Sequence, residues 1–271
     1  MPKKLLNGKE LAGYIKERQA KQVRALRQAR GIAPKLAIVQ TKDDPVINTY
    51  VGLKQRYGAD INIEVEKHFV KQADVKTLIE ALNHDETVHG VIVQLPLADS
   101  SQTDDILKLV SPQKDVDALG SQDYFEPATP MAIMWLLAGY NIELRGKEIL
   151  LVGRGKLVGA PLEKLLQVQG HQVRVVERGQ KILDASSISA DVIITATGSP
   201  AIIYSDMIKE GAVVVDAGVA SEDGKTVGDV APEVYDRSDV TITPQIGGVG
   251  PLTVCALFEN VIRASQRLVE K

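Results

Sequence analysis

The sequence predicts an α/β protein made of two open parallel-sheet α/β domains around a cleft. Three observations carry that expectation. Short apolar runs alternate with helix-length amphipathic runs along both halves of the 271 residues, as in strand–helix–strand units feeding a parallel sheet. A glycine-rich turn within Lys147–Pro161 (K-E-I-L-L-V-G-R-G-K-L-V-G-A-P) joins an apolar strand, Ile149–Val152, to a helix from about Leu157, which makes the second domain Rossmann-type. Pro127–Pro130 breaks the chain between the halves.

Lys9–Arg30 reads as a long helix, because Leu11, Ile15, Val23 and Leu26 return on about one face and Gly31 stops it. Lys35–Gln40 is a strand, and a helix follows over about Pro45–Tyr57 with proline in its first turn. Ile61–Val65 is the next strand, Ala73–Asn83 the next helix, Val88–Gln94 the third strand and Thr103–Leu109 a further helix. Met131–Gly139 reads as a linking helix. The second half has strands at Glu148–Val152, Gln172–Glu177, Asp191–Ala196, Ala212–Asp216 and Asp239–Thr243. An amphipathic helix from Leu252 onwards has no strand after it and is expected to pack back across the first domain. The domains are therefore expected at 1–140 plus 251–271 and at 141–250.

At 44% hydrophobic and 25% charged, the composition is that of an ordinary globular protein. The formal net charge of -3 supplies no global basic field for nucleic acid. No apolar stretch is long enough to span a bilayer, and the basic N-terminus lacks the apolar core of a secretory signal. Cys255, the single cysteine, rules out an internal disulfide framework and reads as a small buried hydrophobe. A cytoplasmic setting is expected. His68, His84, His89 and His171 show no ligand spacing, so no metal is expected.

The glycine turn runs G-x-G-x-x-x-G through Gly153, Gly155 and Gly159, its third glycine one place later than in the common dinucleotide fingerprint. Its backbone N–H groups can approach a pyrophosphate, and the helix that follows turns its positive end to the same anion. Alone, the spacing also fits an ordinary strand-to-helix turn. Glu177 ends the next strand, where an acid can accept from a ribose 2′-OH, which favours NAD. Arg154 and Arg178 would suit a 2′-phosphate, which favours NADP. Thr195–Pro200, which holds Ala196, Thr197 and Gly198, and Asp216–Val219 fall just past strand ends, where open sheets bind ligands. The glycines of Thr243–Thr253 fit a backbone closing over a flat ligand and fit a tight crossover equally.

In the first half, Tyr50 and Lys54 share a helix face at i, i+4. Gln94 ends the third strand, and Asp117 lies in the polar run K-D-V-D-A-L-G. These four side chains could converge on a cleft facing a cofactor; for the Tyr/Lys pair alone, a solvated helix surface is the simpler alternative.

Seven segments extend this pattern along the chain: Y-V-G-L-K at Tyr50–Lys54, V-I-V-Q-L-P-L at Val91–Leu97, K-D-V-D at Lys114–Asp117, P-x-T-P at Pro127–Pro130, G-R-x-x-x-V-G-x-P at Gly153–Pro161, V-G-D-V at Val227–Val230 and G-G-V-G-P-x-T at Gly247–Thr253. In their order and spacing the chain resembles the bifunctional methylenetetrahydrofolate dehydrogenase/methenyltetrahydrofolate cyclohydrolase family. The resemblance implies NADP as cofactor, with NAD possible, a folate substrate and commonly a homodimer. It implies oxidation of a methylene carbon by hydride transfer, then water addition to give 10-formyltetrahydrofolate. By resemblance Lys54 carries proton transfer, Gln94 orients or tunes it, Tyr50 packs on the folate and Asp117 holds the pterin. Leu95, Gly248 and Pro251 are then expected at the substrate. Gly153, Arg154, Gly155, Val158, Gly159, Glu177 and Arg178 are expected at the cofactor, with Ala196, Thr197, Gly198 and Thr129.

The chain departs from the family pattern at Ala128 (usually cysteine), Ala118 (glycine), Gly155 and Ile47 (serine), Gln245 and Ile246 (valine and proline), Ala220 (asparagine) and Glu177 (histidine). None of these removes Lys54, Gln94 or Asp117. They cluster around the expected cofactor and folate walls, so the reaction type is expected to hold, with NADP preferred. The alternatives are a dehydrogenase with weak or absent cyclohydrolase activity and a non-catalytic nucleotide-binding subunit.

Overall fold

Runs of β-branched residues buried on both faces build two separate parallel sheets in the computed structural model, which describes residues 4–120, 124–177, 189–222 and 225–267. The chain begins with β1 (Lys4–Leu5) and α1 (Gly8–Arg30), then alternates β2 (Lys35–Gln40), α2 (Pro45–Asp60), β3 (Glu64–Phe69), α3 (Val75–His84) and β4 (Gly90–Val93) before α4 (Thr103–Leu107). After α5 (Ala128–Gly139) come β5 (Ile149–Val152), α6 (Gly159–Val168), β6 (Val173–Val176), β7 (Val192–Thr195) and β8 (Val213–Asp216). A hairpin of β9 (Ala220–Glu222) and β10 (Lys225–Val227), then β11 (Thr241–Ile242), lead to the terminal α7 (Val249–Arg267).

One compact unit comprises Gly13–Ala128 with α7 from Val254 onwards. Its sheet has the order β3-β2-β4, all parallel, and Leu36–Val39 of the central strand are completely buried. A parallel bridge between Val91 and Asp115 carries the pairing one segment beyond β4. The terminal helix packs on this unit, as expected. Asn260 Nδ2 donates to the carbonyls of Val116 and Glu126, each at 2.9 Å, and Gln19 Nε2 donates to Cys255 O at 2.9 Å. Cys255 itself is buried. Replacing Asn260 with alanine strips two carbonyls of their donor, one of them in the fully buried Val116. The expected loss is about 2–3 kcal/mol, read as a lower urea midpoint at unchanged m-value.

The other unit comprises the residues up to Ala12 with Thr129–Thr253, around a six-stranded parallel sheet of order β1-β11-β8-β7-β5-β6. The chain leaves β5 for β6 on one side and returns to β7 on the other, so the C-terminal end of β5 is a topological switch point, the usual ligand crevice of such sheets.

Three expectations are corrected. The expected division near residue 140 moves, because β1 pairs in parallel with β11, Asn7 N donates to Tyr140 Oη at 2.9 Å, and α5 belongs with the six-stranded unit. The strand expected at Ile61–Val65 starts at Glu64 instead: α2 runs on to Asp60, Ile61 caps it, and Asn62 turns the chain at φ 62°. Finally, β1 and the β9–β10 hairpin are extra strands, and α6 begins at Gly159 rather than Leu157.

Candidate active site

Helix α2 is started by Asp44, whose carboxylate accepts from the N–H groups of Ile47 (3.3 Å) and Val46 (2.9 Å), bonds that hold it below the usual carboxylate range. The helix buries Ile47, Val51 and Gly58, and Lys54 lies on the same stripe, three residues after Val51 and four before Gly58. Tyr50, one turn earlier, is 41% exposed.

Gln94 sits at the C-terminal rim of β4, its N–H still bonded to Val39 O at 2.8 Å. Its Nε2 donates to Leu95 O at 3.0 Å, which leaves Oε1 to accept from Lys54 Nζ at 2.7 Å. The Leu95–Pro96 peptide is cis. Asp117 follows the segment pinned by Val91 N to Lys114 O at 2.7 Å and by Asn260 at Val116 O. Ala118 takes φ 54°, a left-handed conformation in which glycine is more at ease.

Burial lowers the pKa of Lys54, against the pull of the Asp117 charge. Burial also raises Asp117, against the pull of Lys54. Lysine, glutamine and aspartate therefore form one electrostatically linked group, and an amine whose charged form is disfavoured is a better base near neutrality.

In the six-stranded unit, Gly153 leaves β5 at φ 98° and donates to Val176 O at 2.8 Å. A Cβ there would lie 2.8 Å from Ala196 O and from Thr197 Cγ2, so this glycine brings the loop against the Ala196–Gly198 turn. Gly159 opens α6 so close to the loop that a Cβ would run into the Gly153 carbonyl and sit 2.8 Å from Arg154 Cα. Val158 is the residue before the helix, and Ala160 N donates back to Gly155 O at 3.1 Å. This cradle, with the N-terminal end of a ten-residue helix at its mouth, fits a pyrophosphate.

Arg154 is already engaged: its Nε donates to Glu163 Oε2 at 2.6 Å and its Nη1 to Glu177 Oε1 at 3.2 Å. Arg178 lies outside the described residues. Thr129 receives a hydrogen bond from Thr253 Oγ1 at 3.4 Å, and Gly248 lies against Gly8 at the start of α1. Thr129, Gly248 and Pro251 thus belong to the six-stranded unit, not to the unit that carries Lys54.

Sequence reasoning missed two carboxylates here. Asp229 accepts from Thr197 N (2.7 Å) and Ser199 N (3.0 Å), and Asp216 accepts from Gly218 N (2.9 Å) and from Asp229 N and Val230 N (both 3.1 Å). They staple the turns past β7 and β8 to each other. Burial raises the Asp229 pKa while the bond from Thr197 N lowers it. The acids in D-A-G-V and V-G-D-V, each within two residues of a glycine, were the available signal. Among the described residues no group of His, Cys, Asp and Glu is arranged to hold a metal ion, and no helix is long and apolar enough to cross a membrane.

Residues 6–117 match a family model described as the catalytic domain of tetrahydrofolate dehydrogenase/cyclohydrolase, and residues 127–269 match the NAD(P)-binding domain of the same enzyme. The chain belongs to the tetrahydrofolate dehydrogenase/cyclohydrolase family. The bifunctional protein FolD of Campylobacter jejuni (strain RM1221) is 37% identical over 277 residues, covering 97% of this chain and 98% of the relative. A crystal structure of the Campylobacter jejuni FolD superposes with a TM-score of 0.90 at 37% identity, over 97% of this chain and 98% of that one. The Trypanosoma brucei methylenetetrahydrofolate dehydrogenase-cyclohydrolase, complexed with NADP cofactor and inhibitor, superposes at 0.92 with 28% identity over 100% of both chains. Within the family's catalytic domain lie Tyr50, Lys54, Gln94 and Asp117; within its NAD(P)-binding domain lies the whole Gly153–Gly159 cradle.

Proposed function

We propose that this chain oxidises 5,10-methylenetetrahydrofolate to 5,10-methenyltetrahydrofolate with NADP, then hydrolyses the product to 10-formyltetrahydrofolate at the same site. The Lys54–Gln94 bond at 2.7 Å, with Asp117 in electrostatic reach, is the observation that supports this most directly. NADP, when bound, supplies the hydride acceptor. The Gly153–Gly159 cradle would hold its pyrophosphate, Arg154 and Glu177 would read its ribose 2′ position, and Ala196, Thr197 and Gly198 would line its site.

On the folate side, the Asp117 carboxylate accepts from the pterin's amino and ring N–H donors, and Tyr50 offers its ring to the folate. Water addition needs a base and then an acid. Neutral Lys54 takes a proton as the water oxygen bonds to the methenyl carbon. As an ammonium it returns a proton to N5 while the carbon–N5 bond opens, and the remaining hydroxyl proton passes to solvent. Gln94 Oε1 holds the amine in place through both transfers.

Purified protein given methylenetetrahydrofolate and NADP is expected to form NADPH and then to clear the methenyl absorbance faster than buffer does. Absence of NADPH would remove the oxidation. Methenyl product that clears only at the uncatalysed rate would remove the hydrolysis. A cytoplasmic homodimer belongs to the same proposal, and light scattering at the mass of a single chain would count against it.

A further inference from the structure

We propose that Glu163 and Glu177, by clasping Arg154 between them, set the cofactor choice of this chain and make it accept NAD alongside NADP. The proposal rests on the Gly153–Gly159 loop being the nucleotide cradle. Position comes first. Glu177 directly follows β6, and the loop is tied to that strand end by Gly153 N to Val176 O at 2.8 Å. An acid at this place can accept from a free ribose 2′-OH.

Arg154 is the loop's own guanidinium, and its donors are committed. Nε and Nη2 face Glu163 at 2.6 and 3.4 Å, and Nη1 reaches Glu177 at 3.2 Å. The two carboxylates do not hold it equally. The Glu163 side chain is only 14% exposed and is supported one turn along α6 by Gln167 Nε2 at 3.3 Å, whereas that of Glu177 is 51% exposed. Glu163 is thus the anchor and Glu177 the exchangeable partner. Gly155, which has no side chain, gives the loop no hydroxyl of its own at that position.

A 2′-phosphate entering here must take Arg154 from Glu177 and then sit beside the displaced carboxylate. A 2′-OH needs no exchange, because Glu177 accepts from it while Arg154 keeps Glu177 in place. Two carboxylates on one guanidinium therefore penalise the phosphorylated ribose and leave the unphosphorylated one usable.

The test is calorimetric titration of the full-length chain with NADP and with NAD, paired with kcat/KM for each cofactor, in the parent protein and in Glu177→Gln and Glu163→Gln. Within one preparation the ratio between cofactors cancels any inactive fraction. The parent is expected to bind NAD within about tenfold of NADP. Glu177→Gln should shift both ratios toward NADP by about tenfold, and Glu163→Gln should shift them in the same direction by a smaller factor. Ratios that stay within about twofold of the parent in both variants would overturn the proposal and leave the cradle standing. Failure of the parent to bind either nucleotide would overturn the cradle and the proposal together.

Discussion

Lys54→Met is expected to slow water addition to the methenyl carbon by at least about a hundredfold, the lower range for loss of a general acid–base group. NADP binding should be unchanged, since Lys54 and the Gly153–Gly159 cradle belong to different compact units. Decay of supplied methenyltetrahydrofolate measures the first, and titration with NADP the second. Unchanged turnover would remove Lys54 from the mechanism. The parent enzyme should show a rate that climbs with pH and levels off below the ordinary lysine value of 10.5, because the neutral amine is the active form and burial lowers its pKa. Stability has a definite sign as well. The folded-state pKa lies below the unfolded one, so between the two values the unfolded chain holds the extra proton, and folding gains stability as pH rises through that window. At any pH below that window the sheltered ammonium carries its full desolvation penalty. Methionine deletes it, so the inactive variant should unfold at a higher urea concentration than the parent.

Gly159→Ala is expected to weaken NADP binding by about a hundredfold and to stop oxidation in proportion. The new methyl would meet the backbone of Gly153 and Arg154, which cannot rotate away as a side chain can. Overpacking of this kind costs about 1–3 kcal/mol, and about 2.8 kcal/mol corresponds to a hundredfold in affinity. Water addition draws on Lys54, Gln94 and Asp117 and should keep most of its rate. The two substitutions together thus separate the activities: one spares the cofactor and stops hydrolysis, the other spares hydrolysis and loses the cofactor. A Gly159→Ala protein that binds NADP normally would show that the cradle lies elsewhere.

Much of this was legible in the sequence. β2, β4, β5, β7 and β8 are buried on both faces and read as short apolar runs between turn residues. β3 was misplaced for a physical reason. As an edge strand it carries E-V-E-K-H-F, whereas the apolar alternation of Ile61, Ile63 and Val65 straddles a helix cap and a left-handed Asn62. β1 is two residues long and exists through its pairing with β11, which no local pattern announces.

The site divides in the same way. Lys54, Gln94 and Asp117 stand out as polar groups at a strand rim, on a helix face and in a family segment. Glu163 and Asn260 lie inside amphipathic helices, where a polar residue looks like any other. Asn260 matters through Val116, 144 residues away, and Glu163 through Arg154 in the loop nine residues before it. Only folding reveals that the arginine expected to meet a phosphate is already shared by two acids.

The backbone passes between the compact units three times, each time within a continuous helix: α1 after Ala12, α5 after its first residue Ala128, and α7 after Thr253. No single cut therefore releases either unit whole. A chain ending at Ala128 would keep Lys54, Gln94 and Asp117 yet lose the asparagine that fastens the backbone beside Asp117. Gene truncation is closed as a route to a one-activity descendant. Such a descendant would have to arise by point substitution within a full-length protein, with the idle half retained as scaffolding for the working one.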